Sequence, residues 1–456
     1  MFFLKRIFVQ LIHADLVNFG ARVTGDVALL AKEAGREENK PRLEPFDGWG
    51  RRVDEIVVSR AWKDLHGVAA EEGIIALGYE RNSDGSRKGG EYGRVHQMCK
   101  LYLFSPVAAM VTCPLAMTDG ACRLLDQLQL DQPDLKNAFN HFTSRHPDQF
   151  WTSGQWMTER TGGSDVSKTE TIAVIDPNYP VDSNRYRLTG YKYFTSATTS
   201  QVAFTLARVE GKGLGLFMVM VRDLETGEHN NLVVHRLKKK LGTDEVPTAE
   251  LELRGTRALM IGKPGEGVKV ISYLFNITRI HAAMGGVAAL RRILLLARDY
   301  ADKRAVFGSL LRDSPLHLQT LSRMEVTCRA QAHIVFHVAH MLGRSEVDPQ
   351  DKRSANLVRI LTPLVKLFTS KECTAALAEG LESFGGAGYM EDTGLPKLLR
   401  DQVATRSLVC FAYTFMYLFN LIGVSIRLKS LFDNYSRHKL RVEFLELISC
   451  PLRFRL

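Results

Sequence analysis

The spacing of apolar residues changes period twice along this chain, and few folds accommodate that order. From residue 1 to about 150, in stretches such as RAWKDLHGVAAEEGI and RVHQMCKLYLFSPVAAMVTCPLAMTDGACRLLDQL, apolar positions recur three and four apart. That is the spacing of one helix face. Between about 155 and 262 the period falls to two. TETIAVID, RYRLTGYKYFTS, VAFTLARV, GLFMVMVRD, NLVVHRL and AELELRG read as short strands between Gly, Asp and Asn turns. The helical period then returns, from GEGVKVISYLFNITRIHAAMGG to about residue 400, with Ser314 at a cap position and Pro315 in a first helical turn. The pattern predicts an α+β chain in four parts: an N-terminal helical domain over 1–154, a middle antiparallel β domain over 155–264, a C-terminal helical bundle over 265–405, and a divergent apolar and basic tail over 406–456. REENKPRLEPFDGWG and RNSDGSRKGGEYG read as linkers.

At 456 residues the chain is long enough to bury a large core, and its 45% hydrophobic and 24% charged content excludes a disordered protein. A net charge of +10 permits anionic partners such as phosphate-bearing cofactors, nucleic acid or an anionic membrane face. The most basic run, HRLKKK (235–240), falls at a turn of the β domain and reads as a solvated loop, so nucleic acid is not an expected partner. The seven cysteines include no CxxC pair, which suits free thiols in a reducing compartment. The expected location is intracellular, mitochondrial or cytoplasmic. MFFLKRIFVQLIH reads as an amphipathic first helix rather than a presequence, because Asp15 comes early. His333, His337 and His340 share helical spacing without the acidic partner of an HExxH motif, so no metal site is expected.

Two motifs carry chemistry. In MTERTGGSDV (157–166), Gly162 and Gly163 remove the Cβ atoms that would keep backbone N–H groups from a close ligand. In YKYFTSA (191–197), aromatic and hydroxyl residues alternate on a strand. With FDGWGRRVDEI, PLAMTDGA, RLKKKLGTDEVPTAEL, DYADKRAVFG and LESFGGAGYMEDTGLPKLLRD in order around them, the chain resembles the acyl-CoA dehydrogenase family over about residues 40 to 401. The likeness is greatest to its AidB-like branch, named after the alkylation-response protein. The resemblance implies an FAD-dependent oxidoreductase of fatty acid metabolism. It implies that Thr158 bonds the flavin's pyrimidine edge, that Phe194 packs on the ring system and that Ser196 bonds its polar edge. Met157, Gly162, Gly163, Ser164 and Thr195 complete that set. Ser164 also reaches the thioester ligand, with Asn276 and Arg279 lining the fatty acyl-CoA path. Arg304, Phe307, Glu382, Gly385 and Gly386 are implied to hold the adenosine and pyrophosphate of a neighbouring subunit's flavin. A homo-oligomer, dimer or tetramer, follows, with an electron-transfer flavoprotein or oxygen as electron acceptor.

The resemblance breaks where the base should be. The family removes the α-proton with a glutamate shortly after the Arg400-Asp401 pair, but no acidic residue occurs between Asp401 and Asp433. At family spacing the position falls near Val409, beside Leu408 and Cys410, and the alternative base position is Thr278. None of these can take a proton from carbon. The expectation is little or no dehydrogenation by this chain with flavin binding retained, or alternatively a non-catalytic flavoprotein that binds acyl-CoA or nucleic acid. Residues 407–426 carry no charge, and fifteen of the twenty are apolar. The stretch reads as a membrane anchor, a buried replacement helix, or an alternative end from splicing or gene prediction, the last being favoured. Membrane contact is expected only through it.

Overall fold

The structure, a computed structural model, describes residues 2–129 and 131–407. The position near Val409 and the apolar stretch 407–426, apart from Ser407, lie outside the described residues. The N-terminal region is helical: α1 (Phe2–Thr24), α2 (Asp26–Ala34), α3 (Arg60–Glu71), α4 (Gly93–Phe104), α5 (Thr112–Leu128) and α6 (Pro133–Phe142). A hairpin, β1 (Arg42–Phe46) and β2 (Arg52–Val57), interrupts it between α2 and α3. The sequence reading took REENKPRLEPFDGWG for a linker, and the hairpin corrects it. Charged residues and Pro45 mask the β1 pattern. Asp47 closes the turn by accepting the Trp49 and Arg51 amides, each at 2.9 Å. The hairpin's packing is in the middle domain: Arg52 donates to the Val234 carbonyl at 2.9 Å, and Asp54 accepts the Val234 amide at 3.0 Å.

The middle domain has seven strands: β3 (Ser153–Thr158), β4 (Ile172–Ile175), β5 (Arg185–Ser196), β6 (Val202–Val209), β7 (Gly213–Met220), β8 (Leu232–Leu237) and β9 (Thr248–Ile261). Its pairings run β5–β4–β6–β7–β9 and return to β5, closing the sheet on itself. Two contacts are parallel, β3 with β6 and β4 with β6, in an otherwise antiparallel sheet. Trp156, Leu188, Phe217 and Leu251 fill a core inside this closure, distinct from the main core. β6 faces both: Ala203 and Ala207 point to the inner core, Phe204 and Leu206 to the helical one. A strand buried on both faces reads as the continuous apolar run VAFTLA.

The C-terminal bundle is α7 (Gly267–Lys303), a two-residue hairpin of β10 (Ala305–Val306) with β11 (Ser309–Leu310), α8 (Pro315–Val347), α9 (Lys352–Glu382) and α10 (Leu395–Ser407). Pro315 starts α8, where its missing N–H costs nothing. Ser314 holds the cap position without a side-chain bond. Helix α7 runs through the middle of the main core and packs on α5. Gly120 makes that approach possible, since a Cβ there would stand 2.7 Å from Leu274 Cγ and 2.9 Å from its carbonyl oxygen.

Candidate functional site

A cleft of about 2270 Å³ lies between the β domain and the helices. The β wall is built by pairing the two motifs. Although 36 positions apart, Thr158 and Phe194 are cross-strand partners on β3 and β5, as are Gln155 and Ser196. A bulge on β5 between Lys192 and Thr195, opposite Leu251 and Ala249 of β9, breaks the alternation there. Tyr193, Phe194 and Ser196 therefore all reach the cleft wall, with Met157, Thr158, Gly163 and Ser164 beside them.

The loop after β3 folds back at once: Glu159 and Gly162 exchange backbone bonds of 3.1 and 3.2 Å around Arg160 and Thr161. A Cβ on Gly163 would stand 2.5 Å from Thr158 Oγ1, so only glycine lets the loop lie this close to the strand. Beneath it is a buried ion pair. Lys192 Nζ donates to Glu159 Oε1 at 2.6 Å and to the Leu206 carbonyl at 2.9 Å. The same carboxylate accepts the Thr171 hydroxyl at 2.5 Å and the Glu170 amide at 2.6 Å. Burial pushes the Glu159 carboxyl up, but the Lys192 charge and these donors hold it below the usual carboxylate range.

The helical wall comes chiefly from α7, where Thr278, Arg279, His281 and Ala282 line the cleft, with Lys366 of α9. Arg279 has no carboxylate partner among the described residues. It meets Asn276 Oδ1 at 3.5 Å and the Phe275 ring at 5.9 Å. Desolvation lowers its pKa, and the half-buried Lys366 ammonium, desolvated and repelled by Arg279, is brought down to about 8. The cleft extends between Val23, Ala28 and Leu29 of the N-terminal helices and Met110, Cys113 and Met117 around α5.

Not every expected residue is in the cleft. Thr195 is fully buried in the sheet and its hydroxyl donates to the Ala249 carbonyl at 2.8 Å, so its side chain is already committed; the bulge that brings Phe194 out turns it in. Gly162 is exposed beside the wall, with φ +140°. Asn276 reaches Arg279 rather than the cleft. Arg304, Phe307, Glu382, Gly385 and Gly386 are exposed and outside the cleft, with Phe307 at the tip of the β10–β11 hairpin at φ +50°. Thr278 bonds the Phe275 carbonyl at 3.1 Å. In the basic run, Arg236 and Lys238 both pair with Glu250, and Lys240 donates to the carbonyls of Thr243 and Val246. His340 stacks on Tyr92, and among the described residues no group of three His, Cys, Asp or Glu assembles a metal site.

Sequence reasoning missed His281 and its anchor Asp119. Asp119 is fully buried on α5 and accepts four side-chain donors: Tyr79 Oη at 2.6 Å, Arg94 Nη1 at 2.9 Å, Gln97 Nε2 at 2.9 Å and His281 Nε2 at 2.7 Å. Arg94 turns its other edge to Glu346 of α8 in a two-bond fork of 2.8 and 2.9 Å. The network thus joins α4, α5, α7 and α8. Burial raises the Asp119 carboxyl, and the Arg94 guanidinium and the histidine bond more than reverse this, holding it well below the usual range. The available signal was PLAMTDGA: a charged residue inside an apolar helical stretch, beside a glycine that brings α7 close.

A β module closed on itself between two helical regions, with a ligand-sized cleft along its edge, defines a class of flavoenzyme folds, and three family models match the chain in that order. They are the AidB N-terminal domain (residues 4–148), the acyl-CoA dehydrogenase middle domain (154–256) and the acyl-CoA dehydrogenase C-terminal domain (265–408). The chain belongs to the acyl-CoA dehydrogenase family, in its AidB-like branch. It is 46% identical over 406 residues to acyl-CoA dehydrogenase family member 11 of Caenorhabditis elegans, covering 86% of this chain and 64% of that protein. It is 32% identical over 370 residues to the putative acyl-CoA dehydrogenase AidB of Escherichia coli, covering 80% and 65%. The chain therefore spans slightly less than two thirds of these curated relatives. Among solved structures, Caenorhabditis elegans ACDH-11 in complex with C11-CoA superposes with a TM-score of 0.83 at 45% identity, over 88% of this chain and 67% of that one.

Proposed function

We propose that this chain is a flavoprotein of the acyl-CoA dehydrogenase type that holds FAD against the β wall of the cleft and a fatty acyl-CoA between FAD and α7. The observation that carries the reading is the single cleft with Thr158 and Phe194 paired on one wall and Arg279, without a carboxylate partner, on the other. The residues fit a flavin. Phe194 offers a half-buried aromatic face, Thr158 and Ser196 offer hydroxyls on either side, and Gly163 leaves the loop backbone unshielded. Bound there, FAD supplies a hydride acceptor. The chain's own residues orient the thioester and exclude water. Arg279 faces the polar end of the ligand, and Val23, Ala28, Leu29 and Met117 offer the acyl chain an apolar path. That a similar protein has been solved with C11-CoA bound supports an acyl-CoA ligand here.

On this reading the exposed set Arg304, Phe307, Glu382, Gly385 and Gly386 grips the distal half of a neighbouring subunit's FAD, which requires a homo-oligomer. Were the bound flavin reduced, an electron-transfer flavoprotein or oxygen would take its electrons. Because Thr278 is neutral and the sequence offers no acidic residue between Asp401 and Asp433, dehydrogenation through a carboxylate base is not expected. A second reading, a flavin-loaded acyl-CoA binding protein, draws on that same gap. In the HRLKKK run Arg236 and Lys238 already pair with Glu250, which favours acyl-CoA over nucleic acid as the ligand. The test is reconstitution with FAD followed by anaerobic mixing with a panel of acyl-CoAs. Yellow protein that binds thioester with slow or no bleaching is expected. Fast bleaching would identify an efficient base and reject the gap; failure to take up flavin would reject the whole reading.

A further inference from the structure

Thr278, at the family's alternative base position, and His281 stand three residues apart on α7, so their side chains are neighbours on the helix surface. Both belong to the cleft wall. An ionised carboxylate only accepts hydrogen bonds, so Asp119, kept ionised by Arg94, requires the proton of His281 to sit on Nε2. That leaves Nδ1 as a bare lone pair, and it has no hydrogen-bond partner among the described residues. An imidazole locked in one tautomer by a buried carboxylate, with its other nitrogen buried and unpartnered at the cleft wall, is the arrangement of a general base, and the carboxylate stabilises the imidazolium that forms. Most carboxylates on the cleft wall are engaged by cations: Glu245 and Asp401 by Lys397, Asp299 by Lys303, and Glu391 by Arg400.

We propose that His281 is the proton acceptor for a thioester bound in the cleft, with Asp119 as its positioning residue. This rests on the acyl-CoA binding reading above. The C–H bond α to the thioester carbonyl breaks, and its electron pair delocalises onto the carbonyl as an enolate. The proton forms a new bond to Nδ1, giving an imidazolium against Asp119. The step is a reversible proton transfer and consumes no oxidant. The charged and titratable groups around the imidazole are Asp119 of α5, Arg94 of α4 and Tyr79 from the turn after α3, which meet it through that carboxylate, and Arg279 on its own helix; Glu346 of α8 lies behind Arg94. Protonation of His281 therefore adds a cation beside an ionised acid rather than beside an unpaired base.

The test uses the full FAD-loaded chain in D₂O with an acyl-CoA whose α-proton is acidified by a sulfur at the β position, and reads deuterium at the α-carbon by mass spectrometry. Thioester binding is measured separately by calorimetry. Expected are measurable exchange in the wild type and a loss of about 100-fold in His281→Gln. Affinity in that variant should change by no more than about threefold, since only the chemical step loses a group. Adding Thr278→Glu to His281→Gln, which places a carboxylate at the neighbouring wall position, should recover exchange. Wild-type protein that binds the thioester without exchange, or a His281→Gln variant that exchanges at the wild-type rate, would each overturn the proposal. Absence of thioester binding would instead defeat the functional reading on which it rests.

Discussion

The two walls of the cleft each rest on a buried ion pair, and the pairs are built to different plans. On the β side Lys192 and Glu159 lie within one small module, and the carboxylate is also held by Thr171 and the Glu170 amide, so the pair secures one loop. On the helical side Arg94 serves two carboxylates, Asp119 and Glu346, and the network reaches four helices. The first fixes the shape of a ligand-facing turn. The second fixes how helices meet, and one of its members, His281, lines the cleft only because the helices do meet. Removing one partner of a buried pair strands the other, so the wall with more dependents should suffer more.

The sharpest way to break this comparison is Arg94→Met, which leaves Asp119 without its guanidinium and Glu346 with Arg123 as its remaining cation. The expected cost is ~4 kcal/mol of global stability. In a chain of 456 residues that corresponds to a fall in Tm of roughly 4 °C. Thermal unfolding followed by circular dichroism measures it, and a Tm within about 2 °C of wild type would show that the network is dispensable.

Lys192→Met should cost less, ~3 kcal/mol, because Glu159 keeps the Thr171 hydroxyl and two amides as donors. Its signature is also local. Amide hydrogen exchange should accelerate over residues 157–166 and leave α7 unchanged, and FAD uptake should weaken. Adding Glu159→Gln removes the stranded charge and should restore part of the loss. If the double variant is no better than the single one, the pair is not the anchor of the loop.

The same contrast explains how much of the molecule was legible beforehand. The β wall was readable because each element carries its own period: RYRLTGYKYFTS and VAFTLARV coincide with β5 and β6 residue for residue. Thr158, Gly163, Phe194 and Ser196 sit in motifs whose meaning is local. Thr195 went astray through one extra residue, since a bulge cannot be seen in an alternating pattern. The β1–β2 hairpin went unread because its strands are charged and its stability comes from Val234, about 180 positions away. Asp119 and His281 are 162 positions apart, and PLAMTDGA, which carries Asp119, does not name its partner. Their pairing depends on Gly120 letting α5 approach α7, a tertiary fact.

Phe194→Ala separates ligand contact from scaffolding on the β wall. Phe194 is half-buried and belongs to neither hydrophobic core, so stability should hardly move. The loss of an aromatic face should weaken FAD binding by about tenfold, ~1 kcal/mol or slightly more. Titration of the apoprotein with FAD, followed by flavin fluorescence, measures it. A variant that binds as tightly as wild type would move the flavin off this strand.

The smallest effect is expected at the edge of the helical side, and it tests whether the contrast is one of burial rather than of ion pairs as such. Asp15 of α1 meets His96 Nε2 at 2.7 Å and Lys100 Nζ at 2.9 Å, but its side chain is 38% exposed. Burial raises its carboxyl and the bonds to His96 and Lys100 outweigh that, bringing it to about 2. A carboxyl depressed from its unfolded value of about 3.9 stabilises the fold fully above that pH and loses the contribution as pH falls through the folded value. Solvent screening at so exposed a site holds the gain under about 1 kcal/mol. In Asp15→Asn, Lys100 keeps Glu72 Oε2 at 2.8 Å and the Glu72 carbonyl at 3.0 Å, so no buried charge is stranded. Wild type and Asp15→Asn should therefore differ slightly in urea midpoint at pH 7 and converge as pH falls from 4 towards 2. A loss at pH 7 as large as that of Arg94→Met would mean that network membership, not burial of the stranded partner, sets the cost.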